Sequence, residues 1–294
     1  MFLSLKYHIG SLVAVFLALG LGILIGSALL GDDTLFSQQQ QQLLNKLESR
    51  MESFKQKNES LRARIMQLEI ERSISGQFEK QVLPALVGGK LQGRSLAIIA
   101  TSGCSHTGEL ANTLKMAGAS VENITVISPS NIPPGEIVLN NPGWQETGEN
   151  NFSNGVAREI SLAIINGDTR VLKILAGQDI LKIDGHYGNH VSDLIIIGGG
   201  ADKNKTVNNI DSHIIDFFKS RDVAVYGAEE SSSAYSCIRE YQKKGLTTVD
   251  NIETVPGQVS LVFAISGRPG QYGVKTTAKS LLPILEYGVE VNAR

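Results

Sequence analysis

Four side chains carry donors that a soft or borderline transition metal takes: Cys104 and His106 in one short segment, His186 and His190 in another. The first pair sets a thiol and an imidazole on one predicted loop. The second has the four-residue spacing that puts two imidazoles on one face, provided the segment is helical. Gly185, Gly188 and Asn189 favour a turn there instead. The remaining cysteine, Cys237, lies far along the chain, so no CxxC or zinc-ribbon spacing exists. A disulfide between Cys104 and Cys237 and two buried thiols both fit the sequence.

Other chemistry has weaker support. Ser231, Ser232 and Ser233 offer hydroxyls without a GxSxG elbow around them, and read as caps of the helix that follows. Asp250 and Glu253 read as acids of a solvated loop. The segment Thr101-Ser102-Gly103-Cys104-Ser105-His106-Thr107-Gly108 is rich in small donors, as an anion site would be. It lacks both the GxGxxG of a dinucleotide turn and the GxxxxGK[ST] of a P-loop. Gly198-Gly199-Gly200 is likewise a permissive turn without a fingerprint. No catalytic residue and no certain cofactor emerge, so the chain reads as a non-enzyme. A formal charge of −2 and a pI near 6.2 also exclude nucleic acid as a partner, because that binding rests on clustered Lys and Arg.

The elements that must position these residues alternate between short apolar runs and amphipathic stretches from about residue 91. Runs at 95–100, 121–127, 194–197 and 223–226 read as buried strands, with helices at about 107–117 and 209–220 and a last strand at 259–265. This alternation predicts an α/β fold with a mostly parallel, doubly wound sheet, Rossmann-like or flavodoxin-like. The loops beyond the strand ends, at 101–107, 198–205 and 227–233, are where such a sheet binds ligands. Residues 129–155, with Pro133-Pro134-Gly135 and Trp144, read as a loop that contacts a partner or folds back onto the domain.

Ahead of this domain stand two other segments. Residues 9–30 form an uncharged apolar run of about 22 residues, which at about 1.5 Å per residue matches the roughly 30 Å core of a bilayer. It is too long for the apolar region of a cleavable signal peptide. Lys6 lies before it and Asp32 and Asp33 after it, so the positive-inside bias predicts a cytoplasmic tail and an extracytoplasmic remainder. Ala18, Gly22 and Gly26 form a small-residue stripe that lets two helices approach, although glycine is common in membrane helices generally.

After it, Leu44, Leu47, Met51, Phe54, Asn58, Leu61, Ile65 and Leu68 step by three and four, the seam of a left-handed coiled coil with Asn58 at an a position. In a parallel homodimer Arg50 would face Lys55, Lys57 would face Arg62, and Arg64 would face Glu69. The first two pairs repel. The stalk therefore reads as a weak homodimer held by the anchor, or as a basic helix suited to an acidic partner helix. Gly76, Pro84, Gly88 and Gly89 read as breaks. The expected organisation is a tail and anchor over 1–31, a stalk over 32–75, a linker over 76–90 and an extracytoplasmic α/β domain over 91–294.

The opening Leu5-Lys6-Tyr7-His8, with Ser11-Leu12 and the run from Ala14 through Gly20, Gly22 and Gly26, resembles the amino-terminal signature of the mycobacterial copper transport protein B (MctB) family. Thr248-Val249-Asp250-Asn251-Ile252, Gly267-Arg268-Pro269-Gly270 and Tyr272-Gly273-Val274-Lys275 resemble that family's carboxy-terminal motif. The resemblance covers essentially the whole chain. It implies copper homeostasis or transport at a bacterial envelope, with copper as the candidate ligand of Cys104, His106, His186 and His190. Related actinobacterial proteins of this architecture are also linked to cell separation, acting with a membrane partner on a peptidoglycan hydrolase. One helix without Cys, His or charge in its interior forms no ion path by itself, so transport would require oligomers or a partner.

Overall fold

The computed structural model describes residues 5–30, 33–101, 106–128, 131, 149–200 and 208–284. Cys104, Asp32, Trp144 and most of the 129–155 segment lie outside the described residues. The chain divides into two compact units, Met1–Ser75 and Gly76–Arg294.

In the first unit, α1 (Leu5–Leu30) contains the stretch Tyr7–Ala28, 22 residues with a mean hydropathy of 2.5, long and apolar enough to cross a membrane. Helix α2 (Asp33–Val87) follows, and every seam residue from Leu44 to Leu68 lies on it. Its seam is uncovered within one chain: the apolar seam side chains are 48–76% exposed. An apolar helical stripe with nothing against it contributes no burial energy, so the length of α2 is not explained by packing within this chain.

The expected break at 76–90 is corrected in its first part. Helix α2 continues through Gly76 and Pro84 to Val87, and ends where Gly88 donates to the Pro84 carbonyl and Gly89 turns into positive φ. An interior glycine costs only about 1 kcal/mol. Leu83 and Val87 are buried in the α/β core, which offsets the proline's lost hydrogen bond.

The second unit is a seven-stranded sheet in the order β3-β2-β1-β4-β5-β6-β7. The strands are β1 (Ser95–Ala100), β2 (Ser120–Ile127), β3 (Leu181–Gly185), β4 (Asp193–Gly198), β5 (Ala224–Glu229), β6 (Thr247–Val249) and β7 (Gln271–Tyr272). All neighbours pair in parallel except β2 with β3. Central β1 and β4 are apolar runs buried on both faces, as a sheet covered by two helix layers requires. Leu96, Ile98 and Ala100 pack with the end of α2, α3 (Thr107–Met116) and α8 (Val255–Ile265). Ala97 and Ile99 face the other layer, made by α4 (Glu149–Asn166), α5 (Arg170–Gly177), α6 (Asn208–Lys219) and α7 (Ile238–Lys243). The period-two alternation of β1 thus separates two cores. The strand order reverses between β1 and β4, the switch point of a doubly wound sheet.

Two expectations fail here. Residues 259–265 are not a strand but the body of α8, buried from Gly257 onward and therefore lacking a polar face that would reveal helical period. Thr254 caps its start by accepting from the Gly257 amide, with Pro256 in the first turn. Residues 149–155 belong to α4 rather than to a loop.

Candidate site at the carboxyl edge of the sheet

The carboxyl ends of β1, β4 and β5 bring together Thr101, the turn after Gly198, and Glu229. Gly198 pairs with Glu229 at the last rung of the ladder. Asp211, in the first turn of α6, is buried beneath this edge and accepts a 2.5 Å hydrogen bond from the Tyr241 hydroxyl of α7. Its other oxygen, Oδ1, has no hydrogen-bond partner. Burial lifts this carboxyl to about 6, against the Tyr241 hydrogen bond and the nearby Thr101 and Cys237 side chains, which favour the ionised form.

Stability should follow that shift. An unfolded Asp titrates near 3.9, so the folded domain holds a proton that the unfolded chain releases. The contribution is fully present below about pH 4 and is lost as pH rises through about 6. Asp211→Asn removes the titration while leaving an oxygen to accept from Tyr241. Melting curves at pH 4 and 7.5 should show the variant gaining on the order of 2 kcal/mol over wild type at the higher pH, with little difference at the lower.

Glu229 is fully buried and saturated with donors. Its Oε2 accepts from the Cys237 amide at 2.9 Å, and its Oε1 accepts from Ser236 Oγ at 2.6 Å. Lys275, from the segment after β7, completes the set with Nζ 2.5 Å from Oε1. Ser236 also accepts from the Ile238 amide; the N-cap of α7 is Cys237 and no side chain caps the helix, so Ser231 to Ser233 do not serve as its caps. Ser231 instead donates its amide and hydroxyl to Glu253. Asp250 is buried, not solvated: its carboxylate accepts from the Val274 and Lys275 amides.

The metal candidates separate. His106 stands at the amino end of α3 with Nδ1 2.7 Å from Glu230 Oε1. That hydrogen bond raises its pKa, with burial opposing and the charges of Glu230, Glu109 and Glu253 assisting. A carboxylate on one imidazole nitrogen is the usual support of a metal-ligating histidine, yet it also favours the imidazolium, whose proton must leave before a metal binds. His186 and His190 lie in the turn that follows β3, where Gly185 pairs with Asn123 near the start of β2. That is the opposite edge of the sheet from His106, so His106 shares no site with His186 or His190, and Cys104 lies outside the described residues. Among the described residues no group of three or more His, Cys, Asp or Glu is placed to hold a metal ion.

Cys237 lies at the carboxyl edge, where its Sγ accepts from the Gly199 amide at 3.3 Å. Burial pushes its thiol up to about 12, with the Asp211 charge adding to the effect, so it is a thiol rather than a thiolate ligand. Sequence spacing gave no hint of this placement. In the first unit, Gly22 and Gly26 sit on α1 with open space around them, and Arg50, Lys57 and Asn58 are exposed on α2.

An apolar helix long enough to cross a membrane, a long helix with an uncovered seam and a doubly wound domain with a polar carboxyl edge make up an α/β protein with one candidate membrane span among the described residues. The chain belongs to the MctB family, copper transport outer membrane proteins, which it matches over residues 2–283. No curated protein matches it in sequence.

Proposed function

We propose that the protein is a non-catalytic envelope component that serves copper homeostasis or transport by binding and positioning, with its α/β domain on the extracytoplasmic side. Family membership supplies copper as the process. The observation that carries the positioning role is α2. Its seam at Leu44, Met51, Leu61, Ile65 and Leu68 is exposed along one chain and gains burial only against another helix. Self-association through this seam, assisted by the Gly22 and Gly26 stripe of the anchor, forms the working assembly.

Copper would be met at the loop after β1, where Cys104 supplies the soft donor and His106 an imidazole supported by Glu230. The test is Cu(I) competition against a chromophoric chelator, using the full chain in detergent micelles beside a Cys104→Ala, His106→Ala variant. Stoichiometric binding should weaken at least about 100-fold in the variant, since second-shell changes alone cost about 10–100-fold. Binding no tighter than that of an unrelated protein of similar Cys and His content would remove this loop from the account.

A second reading has a specific observation behind it. Arg50, Lys55, Lys57 and Arg62 flank the seam and none of them forms an ion pair within the described helix. An acidic helix of another protein would satisfy them, as expected of a cell-separation factor that engages a membrane partner or a peptidoglycan hydrolase.

A further inference from the structure

A doubly wound sheet offers its ligand crevice outside the carboxyl ends of its strands, and here part of that crevice is filled by the chain itself. Lys275 Nζ lies 2.5 Å from Glu229 Oε1, 3.1 Å from the Glu230 carbonyl and 3.2 Å from the Ser233 carbonyl. An ammonium has three protons, and these acceptors match them one for one. The carboxylate is fully buried while the Lys275 side chain keeps 20% of its exposure, so the cation enters from the surface.

The segment that delivers it is a strap. Gly273 donates to the Ser280 carbonyl, Lys279 donates to the Gln271 carbonyl, and Asp250 receives the amides of Val274 and Lys275. Gly273 holds φ of +137°, and a Cβ there would collide with the Asp250 carboxylate, so only glycine lets the strap turn inward.

We propose that Glu229 and the carbonyls of Glu230 and Ser233 form a receptor for a primary ammonium group, occupied in cis by Lys275 so that residues 273–280 act as its removable cover. Neither the family's role nor the binding and positioning reading assigns this site. The ligand class follows from the acceptors: one carboxylate and two carbonyls grip an N–H-bearing cation and discriminate against a quaternary one, which has charge but no donor.

Two measurements on the full chain in detergent test this. In wild type, the acylation rate of each lysine by an amine-reactive ester is read by mass spectrometry. Lys275 should react at least about ten times more slowly than exposed Lys279, and equal rates would overturn the proposal whatever the variants do. In Lys275→Ala, the lowered melting temperature should rise saturably with n-propylammonium, not with tetramethylammonium at equal ionic strength, and the rise should vanish when Glu229→Gln is added. A folded Lys275→Ala variant that responds to both ions alike, or to neither, would overturn it too.

Discussion

Lys275→Met is expected to lower the stability of the α/β domain by about 3–5 kcal/mol, the cost of leaving a buried carboxylate without its cation. Glu229 is fully buried and Lys275 only 20% exposed, so solvent screening discounts little of the effect. The methionine keeps the volume of the side chain, which isolates charge from packing. For a domain of this size the loss corresponds to a fall of about 10 °C in melting temperature. Adding Glu229→Gln should recover most of it, because the amide no longer requires a counter-charge and its oxygen still accepts from Ser236 and the Cys237 amide. Circular dichroism melts of the three variants check the expectation; a single variant as stable as wild type would show that Glu229 finds another cation.

Gly198→Ala attacks the same edge by volume. A Cβ at this position would collide with the Tyr241 hydroxyl and lie 2.8 Å from Asp211 Oδ2. Tyr241 cannot withdraw, since it is buried and its hydroxyl is bound to Asp211. Overpacking of this kind costs about 1–3 kcal/mol and more where the neighbours are fixed, so a loss of about 3 kcal/mol, or roughly 6–12 °C, is expected. Gly177→Ala is the control. A Cβ there meets nothing within 4 Å, and the end of α5 should tolerate it with a change below about 0.5 kcal/mol. Equal melting temperatures for the two variants would mean that the turn after β4 shifts freely.

The parts of the fold that sequence reveals are those where burial leaves a periodic mark. Strands β1 and β4 are continuous apolar runs, and α3 and α6 show one apolar face each, so the doubly wound sheet is legible from them. Helix α8 is not, because a helix buried on all sides looks like any apolar run; the Thr254 and Pro256 start signal was the available clue. Strands β6 and β7 are three and two residues long, too short for a pattern. Helix α2 runs past Gly76 and Pro84 because packing of Leu83 and Val87, a tertiary effect, overrides local propensity.

The candidate site was legible only in part. His106 could be marked by residue type, and its place beyond β1 followed from the fold. Its partner Glu230 is 124 residues away, and Lys275 is 46 residues from Glu229. No local spacing announces such pairs. Asp211, Asp250 and Cys237 draw their character from burial, which a polar residue's identity does not disclose. The helix that carries the expected seam was legible, since heptad spacing is a local signal.

That seam carries the central claim, that the protein works as an assembly joined through α2. The most direct measurement is disulfide cross-linking in native membranes, with one cysteine at a time introduced at Leu47 or Leu61 on the seam or at Gln56 on the opposite face, all in a Cys104→Ser background whose remaining Cys237 is buried. The account predicts a species of twice the monomer mass for the two seam positions and none for Gln56. A monomer at every position, or equal cross-linking at all three, would contradict it.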